Sequence, residues 1–314
     1  MAWEIQTAGL HGWTATGVAM SELPGPVAEA LTRQPDKGST RVAGCDISWL
    51  SWGDPDRQPL VFLHGGAAHA WWWSFTAPLL ADTHRVVAVD LSGHGDSGRR
   101  DEYRFALWAH EALAVAHAVA STTRPVLIGH SMGGMVTMFA AQQPDADLAG
   151  AIAVDAPLHH RGGSAHRTYG RHRRYATREE AVARFRPLPE QPTAEPRLVR
   201  HVGEHSVTDT GDGWTFKFDP RIFADGQADR PADLGAGMDR VRCPFGVIIA
   251  EHGVVSAEDR ERLAAFVKGG PQRPSSSYLE IPGGYHHLMF DRPLELVDAI
   301  RQLVTAFDAE PATG

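Results

Sequence analysis

Residues Pro125 to Gly134 read Pro-Val-Leu-Ile-Gly-His-Ser-Met-Gly-Gly, a short apolar run that breaks into a glycine-flanked turn. The run suits a strand buried on both faces. The small, alanine-containing stretch Met132 to Gln143 suits a helix that starts at once. Only a very tight turn joins a strand to a helix without a linker. Positions two before and two after Ser131 then have almost no room for a side chain, and both are glycine, Gly129 and Gly133. A bare G-x-S-x-G is a weak pattern. Between a buried strand and a helix it holds the serine on a sharp, exposed turn, which makes Ser131 a candidate nucleophile.

The rest of the chain repeats the strand and helix rhythm. Thr40 to Gly44 and Asp46 to Trp52 alternate like half-buried strands, with a turn at Gly53 to Asp56. Leu60 to Leu63 and Arg85 to Leu91 read as buried strands, and a helix is expected over Trp71 to Leu80 between them. Leu107 to Ala120 reads as a helix, and Ala149 to Val154 as the strand after the Ser131 helix. The rhythm breaks after Pro157. It resumes with Pro244 to Ile249, a helix near Ala257 to Val267, the strand Ser277 to Ile281 and a closing helix near Leu294 to Asp308. Strands alternating with helices predict an α/β fold with a mostly parallel central sheet flanked by helices. The expected organisation is an N-terminal extension over 1–38, a core made of 39–157 and 241–314, and an insertion over 158–240. Within the insertion a helical run is expected near Arg178 to Phe185, and Trp214 to Phe218 is aromatic.

Composition removes several classes of function. The 314 residues carry a net charge of −8, the wrong sign for a nucleic-acid surface. The locally basic stretch Arg161 to Arg174 reads as a solvated face. Two cysteines, Cys45 and Cys243, are far apart and match no metal or redox spacing, so they read as buried thiols. None of the 17 histidines forms a zinc spacing, so neither metal nor cofactor is expected. No apolar run is long enough to span a membrane. Met-Ala-Trp-Glu-Ile-Gln at the N-terminus lacks a basic n-region and an apolar core, so a cytoplasmic location is expected.

A serine hydroxyl needs a base, and the base needs an orienting carboxylate. Ile281-Pro-Gly-Gly-Tyr-His-His-Leu-Met-Phe-Asp-Arg-Pro293 supplies two histidines after the last strand. Together with His64-Gly65-Gly66, Asp90-Leu-Ser-Gly-His-Gly-Asp-Ser97 and the Ser131 turn, this segment resembles the α/β-hydrolase fold superfamily, specifically a serine hydrolase with a cap domain. The resemblance covers about residues 40 to 310 and implies that the insertion is the cap. The family pattern of Gly-x-x-His followed seven residues on by Pro selects His286, because the seventh residue from it is Pro293. His287 is then a neighbour that packs or hydrogen-bonds nearby. His94 resembles a structural histidine of its turn, and His64 a residue that stabilises its loop.

The orienting acid departs from the family's commonest pattern. Most relatives carry it in a Gly-x-x-Asp segment after the post-cap strand, which here reads Ala250-Glu251-His252-Gly253. Two carboxylates could replace it. Asp155 ends the strand after the Ser131 helix, where some relatives place the acid, and is the favoured candidate. Glu251, at the tip of the post-cap strand, is the alternative. The backbone N–H groups of Met132, at a helix N-terminus, and of Gly66, by resemblance, would form the oxyanion hole. Trp71-Trp72-Trp73 cannot all face one way on a helix, so at least one should face the pocket or the cap while another packs in the core. Trp72 on one side and Trp214 and Phe218 in the insertion are candidate pocket residues. The expected partner is a small to medium, fairly apolar ester, with no nucleic acid and no membrane. Arg171, Arg173 and Arg174 are expected in solvent rather than on a substrate carboxylate. Alternatives are a C–C bond, lactone or thioester hydrolase using the same three residues, or a non-catalytic ligand receptor on the same fold.

Overall fold

The computed structural model describes residues 23–159, 173–223, 233–268 and 275–309. In chain order the elements are α1 (Gly25–Ala30), β1 (Asp36–Val42), β2 (Cys45–Trp52), β3 (Pro59–Leu63), β4 (Arg85–Val89), α2 (Phe105–Val119), β5 (Val126–His130), α3 (Met132–Ala141) and β6 (Gly150–Val154). The insertion supplies α4 (Arg178–Val182), α5 (Pro196–His205) and the hairpin β7 (Val207–Asp209) and β8 (Trp214–Phe216). The core then closes with β9 (Phe245–His252), α6 (Ala257–Lys268), β10 (Ser277–Tyr285), α7 (Leu288–Asp291) and α8 (Pro293–Asp308).

Eight strands form one sheet in the order β1-β2-β4-β3-β5-β6-β9-β10. Only the β1–β2 and β2–β4 pairs are antiparallel; every pair from β4 to β10 is parallel. The strands of the parallel part are buried on both faces because helices cover both. Val61, Leu63 and Leu127 join the cluster under α2 and α3, while Leu60, Phe62 and Ile128 join the one under α8. This is the α/β-hydrolase architecture expected from the sequence. The chain steps from β3 outward to β4 and then back across β3 to β5. Connections from the carboxyl ends of β3 and β5 thus leave in opposite directions, and a crevice opens between them. His64-Gly65-Gly66 follows β3 and Ser131 follows β5, so both meet at that crevice.

Two expectations are corrected. Trp71 to Leu80 is not one α-helix but two 3₁₀ turns, Ala70–Trp73 and Ala77–Leu80. Pro78 lacks an N–H for a continuous helix, and the Ser74 and Thr76 hydroxyls donate back to the Trp71 and Trp73 carbonyls. The folded body also begins before Ser39. Asp36, Lys37 and Gly38 pair with β2, Val27 and Ala30 of α1 are buried, and the Trp52 indole donates to the Arg33 carbonyl at 3.1 Å. Residues 1–22 and Arg171 lie outside the described residues. Among those described, no helix is long and apolar enough to cross a membrane.

The described part of the insertion is bonded to the core along two rims. On one rim Glu195 N–H donates to the Phe290 carbonyl, Thr193 to Asp291, and Gln191 bonds both backbone groups of His287. On the other, Asp219 N–H donates to the Gly93 carbonyl and the Tyr103 hydroxyl to the Asp219 carboxylate. Between them three histidines join insertion and core. His205 stacks on Trp71 with ring centres 3.6 Å apart, His201 bonds the Ser74 hydroxyl, and His69 bonds the Ser206 hydroxyl. Burial pushes all three below the ordinary histidine range, His205 to about 4, with His201, Lys217, Arg178 and Lys37 depressing it further. A folded pKa below the unfolded value of about 6.5 means a stabilisation complete above that pH and lost as pH falls toward 4. The thermal midpoint is therefore expected to drop between pH 7 and pH 4.5. In His205→Phe, which keeps an aromatic ring but not the charge, the drop should be smaller by scanning calorimetry.

Candidate active site

The turn after β5 is strained where the sequence pattern requires it. Ser131 sits at φ 54°, in the left-handed region that non-glycine residues avoid. Its N–H donates to the Val154 carbonyl at 3.0 Å, which ties the turn to the end of β6. A Cβ at Gly129 would stand 2.1 Å from the Gly133 carbonyl oxygen, and one at Gly133 2.5 Å from that of His64. Any larger residue at either position would push the strand, the helix and the β3 loop apart. Ser131 itself remains half-buried and reachable.

Three residues from three segments meet there. The Ser131 hydroxyl lies 3.0 Å from His286 Nε2, and His286 Nδ1 lies 2.6 Å from Asp155 Oδ2. A carboxylate only accepts, so Nδ1 carries the proton and Nε2 offers its lone pair to the serine. Asp155 is fully buried, at φ 42° directly after β6, and its N–H donates to Ile248 in β9 at 2.7 Å. Besides His286, its carboxylate accepts the N–H groups of Val254 at 3.0 Å and Ala250 at 3.2 Å. A buried carboxylate stays paired only with such donors.

The same geometry explains the glycine at position 253. A Cβ there would stand 2.2 Å from Asp155 Oδ1, so the Asp155 carboxylate occupies the space that a side chain on the post-β9 loop would need. Glu251, the alternative acid, is exposed, and its carboxylate accepts the Gly283 N–H at 2.7 Å rather than a histidine proton. Of the two candidates, only Asp155 is brought to His286.

Gly66 and Met132 stand side by side at the crevice: a Cβ on Gly66 would lie 3.7 Å from Met132 Sδ. Among the described residues, neither backbone N–H is donated to a protein acceptor. The loop is held by His64, whose Nε2 accepts the Leu91 N–H and whose Nδ1 donates to the Gly65 carbonyl. Burial pushes His64 down to about 4, consistent with a neutral ring. His94 is fully buried beside it, with ring centres 4.6 Å apart. Asp90 accepts the N–H groups of Ala70 and Asp96, and burial raises its carboxyl to about 7.

The aromatic candidates divide. Trp73 is core, against Phe62, and Trp71 meets the insertion at His205. Trp72 packs edge-on against Phe185, His287 and Phe290, one residue from His286. Phe218 packs on Phe223, whose ring would touch a Gly66 Cβ at 3.6 Å. Phe223 is thus the apolar neighbour of Gly66 that sequence reading missed, since nothing local marks it. The Trp214 backbone pairs with Asp209 in the small sheet and bridges to Tyr175 outside it. Arg173 lies over Tyr175 and Arg174 pairs with Asp212; both are exposed.

His130 was also missed, because it stood only as the variable position before the serine. Its Nε2–H donates to the His286 carbonyl at 2.9 Å, leaving Nδ1 buried and without a hydrogen-bond partner. Both ring nitrogens of His287 are likewise buried and unpartnered. Burial holds His130 at about 3 and His287 well below the ordinary histidine range, so both rings are neutral. Among the described residues, His130, His286 and His287 can bring one ligand atom each within 4.8 Å of the others.

The model of the alpha/beta hydrolase family matches residues 60–299. The chain is 34% identical over 113 residues to the dihydrolipoyllysine-residue acetyltransferase component of the acetoin cleaving system of Pseudomonas putida, covering 33% of this chain and 28% of that protein. It is 39% identical over 82 residues to polyneuridine aldehyde esterase of Rauvolfia serpentina, covering 25% of this chain and 31% of that protein. These matches therefore span about a third or less of either relative. Among solved structures, the thioesterase domain from the curacin biosynthetic pathway superposes with a TM-score of 0.72 at 19% identity, covering 86% of this chain and all of that one, a likeness of fold.

The acid is testable by side-by-side substitution. Asp155→Asn should lower kcat by about 10⁴, the scale seen when a comparable carboxylate is lost, whereas Glu251→Gln should leave it near the wild-type value. Gly253→Ala, which crowds the Asp155 carboxylate without removing it, should fall between the two. Steady-state kinetics on one chromogenic ester, with circular dichroism to check folding, measures all three.

Proposed function

The chain belongs to the alpha/beta hydrolase family, and from that premise we propose that it is a serine hydrolase cleaving carboxylic esters of small to medium, fairly apolar substrates. The observation that carries this reading is the unbroken line of hydrogen bonds from the Ser131 hydroxyl through His286 to buried Asp155. In this reading Ser131 Oγ attacks the ester carbonyl while His286 Nε2 takes its proton. Asp155 holds the imidazole in the required tautomer and stabilises the imidazolium. The Gly66 and Met132 N–H groups receive the charge that develops on the carbonyl oxygen, each donor contributing on the order of 3 kcal/mol to lowering the barrier. The alcohol leaves with the proton from His286, giving an acyl-serine. Water then attacks with His286 again as base, releasing the acid and restoring Ser131.

Three features support an apolar ester rather than a charged one. Met132, Phe223 and Phe218 gather beside the proposed oxyanion donors, no arginine of the 173–174 pair faces the serine, and one relative, 39% identical over 82 residues, is named as an esterase. The insertion, bonded to the core along two rims, serves in this reading as a cap that limits substrate size and excludes water. Ser131→Ala should abolish hydrolysis of p-nitrophenyl butyrate without changing the thermal midpoint. Across matched esters, lactones, thioesters and a C–C-cleavable diketone, kcat/KM should be highest for uncharged esters. Retained activity in Ser131→Ala would overturn the nucleophile, and a preference for the thioester or the diketone would overturn the ester reading.

A further inference from the structure

Three imidazoles converge where the proposed reaction uses only one. The ring centres of His130, His286 and His287 lie 4.7, 4.8 and 5.6 Å apart. Three imidazoles bound at about 2.0–2.1 Å around a tetrahedral ion would place their ring centres about 5 Å apart. All three residues are at most 5% exposed, and leaving imidazole nitrogens buried without partners is costly. His130 Nδ1 and both nitrogens of His287 are in that position.

The outer partners follow the pattern of metal-binding histidines, in which the second ring nitrogen is fixed by a carboxylate or a carbonyl. His286 gives its Nδ1–H to Asp155, leaving Nε2 for a ligand. His130 gives its Nε2–H to the His286 carbonyl, leaving Nδ1. His287, with neither ring nitrogen hydrogen-bonded, can present either one. Neutral imidazoles suit zinc or copper rather than magnesium or calcium.

We propose that His130, His286 and His287 form an inhibitory site for a divalent transition-metal ion, Zn²⁺, which silences the hydrolase by taking the His286 lone pair that Ser131 needs. The inference rests on the serine-hydrolase reading for its effect, but not for the site itself. No bond of the protein is made or broken and no electron is transferred. The Ser131 hydroxyl loses its acceptor when the ion binds and regains it when the ion is chelated. With three protein ligands, the ion keeps a fourth position toward water or the Ser131 hydroxyl. His287 has no part in the reaction, so it separates the two roles.

Chelator-stripped full-length protein is titrated with Zn²⁺ by calorimetry as wild type, Ser131→Ala, His287→Gln and His287→Phe, and wild type and the His287 variants are also assayed on p-nitrophenyl butyrate. Zn²⁺ should inhibit the wild type, EDTA should restore it, and Mg²⁺ should do nothing. Both His287 variants should keep the metal-free rate and need at least about tenfold more Zn²⁺ for half-inhibition. Calorimetry should show one site in wild type and Ser131→Ala that both His287 variants lack. Co²⁺ in the wild type should give the visible absorption of a tetrahedral site, a readout independent of any variant's folding. Equal zinc response in wild type and both His287 variants, or no tetrahedral Co²⁺ spectrum, would overturn the proposal. A His287-dependent site in a protein whose Ser131→Ala variant still hydrolyses would instead overturn the serine reading and leave the site standing.

Discussion

The buried Asp155 carboxylate constrains more of this structure than any other single group. It lies at the carboxyl end of β6, in the left-handed backbone region, and accepts hydrogen bonds from His286, from the Ala250 N–H within β9 and from the Val254 N–H in the loop after it. A charge in that position is tolerable only while every donor is in place. Gly253 must therefore lack a side chain, β9 must run beside β6, and His286 must arrive from beyond β10. Sheet order and site chemistry are thus one requirement. The post-β9 segment, where the resemblance expects a carboxylate, instead supplies the Val254 N–H to Asp155, and β9 supplies that of Ala250.

The opposite constraint acts on Ser131. Its strained turn has the two flanking glycines that let β5, α3 and the β3 loop pack within van der Waals limits. The crevice at the β3/β5 crossover then brings the Gly66 and Met132 backbone donors to the same place without any dedicated side chain. Strain at the serine and burial of the acid are both stabilised by the core clusters on the two faces of the sheet.

Much of this was legible in the sequence because strong local rules speak at particular residues. Gly129 and Gly133 around Ser131 mark the turn, continuous apolar runs mark the parallel strands, and the resemblance, through the family's spacing to Pro293, points to His286 over His287. The sequence favoured Asp155, at the end of its strand, but left Glu251 open as the alternative. That choice depends on which loop the His286 ring faces, a matter of tertiary packing 131 residues away. The same limit hid His130 and Phe223, whose significance comes only from what the fold sets beside them. The Trp71 to Leu80 segment misled for a local reason: hydroxyls and a proline compete with helical hydrogen bonds there.

If the Ser131–His286–Asp155 line is the working machinery, a fluorophosphonate that phosphonylates activated serines should report it by intact mass and peptide mapping. A single stoichiometric adduct on Ser131 is predicted, formed far more slowly after His286→Ala. An adduct on another residue, or labelling of Ser131 at an unchanged rate without His286, would contradict it.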